Sequence, residues 1–383
     1  MRRIKVLQVL PELNKIQHSY HSVAEEIFTA LPDGRYEKTY LYLSGEPSPI
    51  KSFCAQRQEF LQLKPKQLKG LRILALWRLW RFCRAENFDV IIAHRFKPIS
   101  ILLFISRLLN DGYFFGVIHG MGDFERNYRK RQVRRHAGNR WRFIGVSDAV
   151  REYLVRCGSG FTKENTLSIT NAINLDEVVN KQFCCMEARS KLNLSDNAIL
   201  IGLLGRLVPV KGHEFALRAF AKIMDRHPLA QLVIIGEGRE REKLELLVKE
   251  LGLEGRVHLL GFIQDAQRYV RAFDIWAMPS LSEGLGLALL EGMAGALPVI
   301  ASDVPAMRPL IDGAGGIAVM PGDVDSLAVA FDQYLSLSTK ERKVLGQKAF
   351  DYVKAAHSIE DYRASYRDLI GELFVQSPEK EFN

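Results

Sequence analysis

The 383-residue chain is predicted to be an α/β protein made of two doubly wound, Rossmann-like domains that face a cleft. Short β-branched runs alternate with longer helical runs along both halves, which is typical of parallel sheets covered by helices. The chain is also too long for one ordinary hydrophobic core, which predicts two domains. Hydrophobic residues make up 47% of the chain and charged residues 25%, as expected for a globular protein without a spanning helix.

The alternation begins at the first residues of the N-terminal half. Predicted strands cover 4–10, 38–43, 90–94, 114–119, 142–146 and 167–171. Predicted helices cover 22–31, 71–85, 99–109 and 148–156. Because parallel strands need a crossover helix between them, this order predicts one domain over residues 1–175.

A second α/β region follows a connection near residues 175–195. Predicted strands cover 198–204, 231–235, 257–260, 274–278, 298–301 and 315–319. Predicted helices cover 213–226, 239–251 and 287–296. We expect these elements to form a second domain over 176–355. The amphipathic spacing of 359–375 predicts a helix, within a terminal segment 356–383, that packs back on the first domain.

Two carboxylates flank a glycine turn that opens an apolar helix. Glu283 lies in the loop after the strand at 274–278, and Glu291 lies on the first turns of the helix. Between them lie Gly284, Leu285, Gly286 and Leu287. Helix N-termini bind phosphate, and ligands of parallel sheets collect at the carboxyl ends of strands. Acidic residues near a helix start are also common for structural reasons, because they offset the helix dipole.

Two basic residues upstream complete a candidate ligand site. Arg206 follows Gly205 at the end of one predicted strand, and Lys211 precedes the next predicted helix. With the glutamate turn, they predict a site for a diphosphate-linked, hydroxyl-rich ligand, a description that fits a nucleotide sugar. Since two fixed cations would already meet the charge of a leaving diphosphate, we expect no metal and no other cofactor.

A series of short motifs runs in a fixed order through residues 165–335. Its main members are Gly205-Arg206-Leu207, Ile235-Gly236-Glu237-Gly238, Pro279-Ser280, Glu283-Gly284 and Pro298-Val299-Ile300-Ala301-Ser302. This series resembles the donor-binding domain of the family 4 retaining glycosyltransferases, which have the two-domain GT-B fold. The N-terminal half resembles the same family more loosely and would be its acceptor-binding domain.

The resemblance implies roles for individual residues. Glu291 would contact the ribose hydroxyls, and Glu283 would hold the donor sugar, while backbone amides of the turn meet phosphate or sugar oxygens. His119, at the end of a strand, would contact the transferred sugar as a catalytic residue. A single histidine at such a position is also common in cores and on surfaces. Retention of anomeric configuration is likewise implied by the family.

The sequence departs from the family pattern after its first strand. The family carries a Gly-Gly loop there, where the backbone approaches the donor diphosphate, but residues 11–22 contain no glycine. Close approach is harder when a Cβ is present. Either side chains of this loop replace the amide contacts, or the activity is altered.

Positive charge is concentrated in the N-terminal half. Residues 1–180 contain 29 Lys and Arg against 17 Asp and Glu, whereas residues 181–383 contain 24 against 27. The densest segment, 126–142, includes Arg126, Arg129, Lys130, Arg131, Arg134 and Arg135. We interpret it as a loop that docks a phosphate-bearing acceptor or the anionic inner-membrane surface, with a solvated face as the alternative. A second basic segment, 64–84, suits an interfacial helix or a packed domain helix.

These observations favour a retaining glycosyltransferase. It would move a hexose from a nucleotide sugar, expected to be UDP-linked, to a lipopolysaccharide-core or other lipid-linked cell-surface acceptor. We expect a cytoplasmic protein bound peripherally to the inner face of the membrane. The alternatives are a nucleotide-sugar epimerase or sugar-phosphate synthase on the same fold, and a catalytically silent protein that binds sugar nucleotides or polyanions. Nucleic acid is not an expected partner, because no motif for it accompanies the basic residues.

Overall fold

The computed structural model describes residues 2–13, 19–46, 54–109 and 112–374. The chain divides into two compact units. The first unit comprises residues 1–171 together with the terminal segment from residue 360, and the second comprises residues 172–359.

The first unit is built on a seven-stranded parallel sheet with the order β3-β2-β1-β4-β5-β6-β7. Its strands are β1 (Ile4–Glu12), β2 (Tyr36–Ser44), β3 (Arg57–Phe60), β4 (Val90–His94), β5 (Tyr113–Ile118), β6 (Trp141–Gly145) and β7 (Thr166–Ser168). Its helices are α1 (Ser19–Thr29), α2 (Ile73–Glu86), α3 (Phe96–Ile105), α4 (Asn127–His136) and α5 (Asp148–Cys157). The central strands are buried, as expected where helices cover a parallel sheet on both faces.

The last helix belongs mainly to the first unit. This helix, α14 in chain order, spans Ile359–Glu372. Tyr362, Tyr366 and Ile370, spaced four residues apart, are buried along one face of the helix. On the same helix, Arg363 donates a hydrogen bond from Nε to Glu26 of α1 over 2.7 Å.

The second unit is built on a six-stranded parallel sheet with the order β10-β9-β8-β11-β12-β13. Its strands are β8 (Ile199–Leu204), β9 (Ala230–Ile235), β10 (Val257–Gly261), β11 (Ile275–Met278), β12 (Val299–Ser302) and β13 (Ile317–Val319). Its helices are α6 (Leu175–Lys181), α7 (Cys185–Lys191), α8 (His213–Ala221), α9 (Arg241–Glu250), α10 (Leu287–Ala294), α11 (Arg308–Ala314), α12 (Val324–Leu335) and α13 (Thr339–Ala356).

Successive residues along each strand of the second unit belong alternately to two separate hydrophobic clusters. On β11, Trp276 and Met278 belong to one cluster, and Ile275 and Ala277 belong to the other. This period of two places one cluster on each face of the sheet. Because all strands run parallel, their carboxyl ends lie along one edge, where the loops after β8, β11 and β12 emerge.

The interpretation of residues 126–142 as a loop is wrong. The structure places helix α4 at Asn127–His136 and strand β6 at Trp141–Gly145. No glycine or proline interrupts 127–136, and Gln132 and Val133 are buried on one side of the helix. Burial of one side of the helix stabilises it, although the rest of its surface is strongly charged.

Candidate active site

Lys211 and Glu283 form an ion pair at the carboxyl edge of the sheet in the second unit. The distance from Lys211 Nζ to Glu283 Oε1 is 2.6 Å. The side chains are 20% and 12% exposed, so water screens the pair only partly. The two residues come from loops that follow β8 and β11, which are hydrogen-bonded neighbours in the sheet.

A close backbone approach positions Lys211. The residue ends a short 3₁₀ turn, Pro209–Lys211, and Gly212 follows with a left-handed φ of +70°. A Cβ at Gly212 would lie 2.0 Å from the carbonyl oxygen of Pro279, the first residue after β11. The amide of Leu281 also donates to the Val210 carbonyl over 2.8 Å. Only glycine therefore lets these two loops meet, and their meeting brings Lys211 to Glu283.

Glu291 is the second acidic residue near Lys211. Helix α10 begins after Gly286, which has a φ of +101°, and Glu291 is the fifth residue of the helix. Burial raises the pKa of Glu291 to about 7, although the positive charge of Lys211 acts in the opposite direction. A carboxyl group that titrates near neutrality at the carboxyl edge of a parallel sheet is a candidate functional group.

Arg206 and Gly205 lie at the same edge, directly after β8. The side chain of Arg206 is exposed, and its carbonyl oxygen lies 3.2 Å from Nε2 of His213, the first residue of α8. Burial lowers the pKa of His213 to about 4, so its ring is neutral at pH 7. The loop after β9 contacts Gly205 closely: a Cβ on Gly236 would lie 1.9 Å from the Gly205 carbonyl oxygen.

The leucine side chains of the turn before α10 pack into the core. The side chain of Leu285 is buried in the apolar cluster of this unit, and Leu287 packs against the same cluster. Their side chains are therefore part of the core, while the residues themselves belong to the turn that starts α10. The structure thus brings Lys211, Glu283 and Glu291 together.

Two buried serines at this edge belong to the quoted motifs, but the sequence analysis gave them no role in the site. Ser280 follows β11 and Ser302 ends β12, and both are almost completely buried. Their Oγ atoms have no hydrogen-bond partner among the described residues. Their position at strand ends, next to predicted site residues, was the signal that could have identified them.

In the first unit, His119 follows β5 and contacts a second histidine. Its Nε2 lies 3.1 Å from Nδ1 of His94, the last residue of β4. Burial lowers the pKa of His94 to about 3. Burial, together with the neighbouring ring of His94 and the positive charge of Arg95, also holds the pKa of His119 well below its usual value. Both rings are therefore neutral at pH 7.

Arg95 is a further candidate that the sequence analysis missed. It directly follows β4 and adopts a φ of +67°, which is costly for a residue with a Cβ. Its guanidinium lies 5.8 Å from the ring centre of Tyr20, and Tyr20 packs edge-on against His119. Its position after a central strand, like that of His119, was the available signal.

The basic residues predicted to meet the acceptor differ in their exposure to solvent. Arg129 packs its guanidinium 3.9 Å from the ring centre of Phe96 and donates to the Asp123 carbonyl over 2.7 Å, so it stabilises the fold. Lys130 is half-buried. The exposed members of the cluster are Arg126, Arg131, Arg134 and Arg135.

Two further observations concern the described ranges only. Within residues 2–13, 19–46, 54–109 and 112–374, no helix is both long enough and apolar enough to span a membrane. The same residues contain no group of three His, Cys, Asp or Glu side chains arranged to hold a metal ion. The residues 14–18, in the loop that lacks the Gly-Gly motif, lie outside these ranges.

Comparison with known families matches both units. Residues 22–177 match the model of Glycosyltransferase Family 4, and residues 186–352 match the model of Glycosyl transferases group 1. The three relatives at the top of the comparison are aligned over 34% to 52% of their own length.

Two named relatives and one solved structure illustrate the similarity. A lipopolysaccharide core biosynthesis glycosyltransferase from Rhizobium meliloti is 29% identical over 48% of this chain and 52% of its own length. A UDP-Gal:alpha-D-GlcNAc-diphosphoundecaprenol alpha-1,3-galactosyltransferase from Escherichia coli is 23% identical over 96% of this chain and 97% of its own. Sucrose-phosphate synthase from Thermosynechococcus elongatus superposes with a TM-score of 0.82, at 21% identity, over 98% of this chain and 100% of that structure.

The family matches agree with the two parallel sheets and with the resemblance carried by the motifs. Structural similarity at this level of identity supports the fold, and the two family models support the enzyme class. The chain therefore belongs to the glycosyltransferases with the GT-B fold, with a family 4 domain followed by a group 1 domain.

Proposed function

We propose that the protein transfers a hexose from a UDP-linked sugar to a lipopolysaccharide-core or other lipid-linked acceptor, with retention of anomeric configuration. The observation that supports the proposal best is the cluster of Lys211, Glu283 and Glu291 at the start of α10. It combines a cation for phosphate with two acceptors for hydroxyl groups, next to a helix N-terminus.

Lys211 and Arg206 would meet the diphosphate. The ammonium group of Lys211 is held by Glu283 at 2.6 Å, so it is already oriented before the donor binds. The exposed guanidinium of Arg206 is available for a second phosphate contact. The two positive charges would stabilise the diphosphate as it leaves, and no step of this scheme requires a metal ion.

Glu283 and Glu291 would bind hydroxyl groups of the donor. Glu283, held beside Lys211, would accept hydrogen bonds from the sugar. Glu291, with a pKa near 7, can be protonated or ionised at neutral pH, and both forms can bind a ribose hydroxyl group. Bound hydroxyls would favour the ionised form, which accepts two hydrogen bonds.

The names of the relatives support the donor and acceptor classes. The Escherichia coli relative is named for a UDP-galactose donor and a diphosphate-linked polyprenol acceptor. The Rhizobium relative is named for the lipopolysaccharide core. A diphosphate-linked polyprenol carries phosphate on a lipid, and this chemistry suits the positive charge of the N-terminal half.

The surface around α4 would hold such an acceptor at an anionic membrane. Arg131, Arg134 and Arg135 are exposed on this helix. The ring of His136, the last residue of α4, packs 4.7 Å from the ring of Phe104 on α3, and Phe104 is itself exposed. Arginines beside exposed aromatic groups are typical of peripheral membrane surfaces, where charge binds headgroups and apolar groups enter the interface.

A panel of nucleotide sugars tests the proposal. The purified chain is incubated with UDP-glucose, UDP-galactose, UDP-N-acetylglucosamine and GDP-mannose, and release of nucleoside diphosphate and free sugar is measured. Without an acceptor we expect slow hydrolysis of one UDP-sugar. With a lipid-linked acceptor we expect faster release of UDP without a matching release of free sugar, because the sugar passes to the acceptor. Release of an epimer or a sugar phosphate would support the alternative enzymes, and binding without turnover would support a catalytically silent protein.

A further inference from the structure

A continuous chain of hydrogen bonds crosses the sheet of the first unit and ends at His119. Gln8 Nε2 donates to the carbonyl oxygen of Ala24 over 2.8 Å. Gln8 Oε1 lies 2.6 Å from His94 Nε2, and His94 Nδ1 lies 3.1 Å from His119 Nε2. The three side chains come from β1, β4 and the residue after β5, and these strands are adjacent in the sheet.

Gln8 and His94 occupy places where apolar residues would be expected. Gln8 lies within Val6–Leu10, where the other four residues are apolar and almost completely buried. His94, equally buried, ends a strand whose other residues are also apolar. Burying a polar side chain costs free energy unless its hydrogen bonds are satisfied. The series of hydrogen bonds gives partners to the polar atoms of both side chains. Its last residue, His119, is only half-buried.

The direction of each hydrogen bond follows from the Ala24 carbonyl, which can only accept. The amide nitrogen of Gln8 therefore faces Ala24, and its oxygen faces His94 and accepts from Nε2. Because burial keeps His94 neutral, its Nδ1 carries no proton and accepts from Nε2 of His119. His119 is also neutral, so its own Nδ1 is an acceptor.

We propose that Gln8 and His94 are positioning residues that hold His119 as the Nε2-protonated tautomer, with Nδ1 ready to accept a hydrogen bond from a hydroxyl group of the transferred sugar. The part that concerns the sugar rests on the proposed function. In this state His119 Nδ1 accepts a hydrogen bond from the hydroxyl group, no proton is transferred, and His119 does not act as an acid. A deoxy sugar, or a carboxylate at the same place, would offer the ring nitrogen no proton and would be disfavoured.

The tautomer can be measured directly by nitrogen-15 NMR of the full chain with labelled histidine. We expect Nε2 to be protonated and Nδ1 unprotonated in both rings, with a coupling across the hydrogen bond between His119 Nε2 and His94 Nδ1. Gln8→Met has a similar volume but accepts no comparable hydrogen bond. It should weaken this coupling and lower kcat about tenfold, with unchanged affinity for UDP.

Gln8→Glu is the matched variant. Burial at this place favours the protonated carboxyl group, which can donate its O–H to the Ala24 carbonyl and accept from His94 Nε2 as Gln8 does, so the variant should keep the wild-type tautomers and most of kcat. A wild-type spectrum with the proton on Nδ1 of His119 would overturn the proposal, and so would a folded Gln8→Met protein with unchanged coupling and rate. If Gln8→Met does not fold, the wild-type spectrum and Gln8→Glu still decide.

Titration separates this inference from the proposed function. UDP-glucose and UDP-galactose are added to the labelled protein and compared with UDP. We expect a UDP-sugar that is hydrolysed to shift the Nδ1 resonance of His119, and UDP alone to leave it unchanged. If a UDP-sugar binds and is hydrolysed but the Nδ1 resonance of His119 does not shift, the proposed contact between His119 and the sugar is refuted. If no nucleotide sugar is hydrolysed, the proposed function fails, while the tautomers still test the roles of Gln8 and His94.

Discussion

Lys211 and Glu283 lie 72 positions apart in the sequence, yet their side chains form a 2.6 Å ion pair at the edge of one sheet. The pair is largely shielded from water, and the turn that starts α10 lies beside it. Because a bound diphosphate would compete with Glu283 for the same ammonium group, the pair would link donor binding to the orientation of the carboxylate that we propose binds the sugar.

Removal of either partner of the ion pair should weaken both the fold and the activity. Lys211→Ala leaves the carboxylate of Glu283 shielded and without its cation, which should lower the free energy of unfolding by about 1 to 3 kcal/mol. The double variant Lys211→Ala/Glu283→Ala should recover part of this loss but none of the transfer activity. Denaturant unfolding and donor hydrolysis check the two effects. Additive losses of stability would show that the side chains do not interact.

The pH dependence of stability should report the raised pKa of Glu291. An unfolded glutamate titrates near 4.5, whereas the folded carboxyl titrates at about 7, so the folded state binds more protons between these values. This contribution therefore destabilises the fold progressively from pH 4.5 to pH 7. Glu291→Gln removes it, and should gain up to about 3 kcal/mol relative to wild type over this range. A difference in unfolding free energy that does not vary with pH would contradict the raised pKa.

Transfer should not depend on a divalent metal ion. In the proposed scheme Lys211 and Arg206 would supply the positive charge that meets the leaving diphosphate, so chelation should leave the rate nearly unchanged. Donor hydrolysis is measured in EDTA and in the presence of Mg²⁺ or Mn²⁺, with Glu254→Ala, an exposed residue of the same unit, as a control for nonspecific effects. Activity that is lost in EDTA and restored by the ion would refute this role of the two cations.

Neutralising the exposed arginines of α4 should weaken binding to anionic membranes. Each Arg near such a surface contributes about 1 kcal/mol, so Arg131→Gln/Arg134→Gln/Arg135→Gln should lose roughly two orders of magnitude in affinity at low salt. The matched control neutralises the exposed residues Lys340, Lys343 and Lys354 of α13. Co-sedimentation with vesicles containing anionic lipid is measured at two salt concentrations. Equal binding of all three proteins, without salt dependence, would show that α4 is a solvated face.

Arg129 is left unchanged in that variant because the structure assigns it to the fold. Its guanidinium covers Phe96 and its hydrogen bond holds the Asp123 carbonyl, so Arg129→Gln should cost stability and leave vesicle affinity comparatively unaffected. The sequence showed one dense run of positive charge. Only the structure separates the residues that pack from those that face solvent.

Much of the fold could be predicted because the central strands are buried on both faces. The strand Val90–His94 has the bounds expected from its apolar run. Helix α13 escaped detection because its buried positions, such as Gly346 and Ala349, are small and its surface is polar, so no clear apolar periodicity marks it. Short elements such as β3 and α11 were missed because they offer few residues over which a pattern can repeat.

The candidate site could be predicted in part. The turn before α10 and the position of Glu291 follow from local sequence. The ion pair of Lys211 with Glu283 depends on the adjacency of β8 and β11, which the sequence does not reveal. The chain from Gln8 to His119 likewise depends on the order β1-β4-β5. The traces in the sequence were a glutamine within an apolar strand and histidines at the ends of two others.

The most direct test of the central claim is transfer by Glu291→Ala. Nucleoside diphosphate release and glycolipid product are measured for wild type and variant with the same UDP-sugar and lipid-linked acceptor, and circular dichroism checks the fold. If Glu291 binds the donor, the folded variant should lose transfer by at least about a hundredfold. Wild-type turnover by a folded Glu291→Ala protein would contradict the assignment of this site.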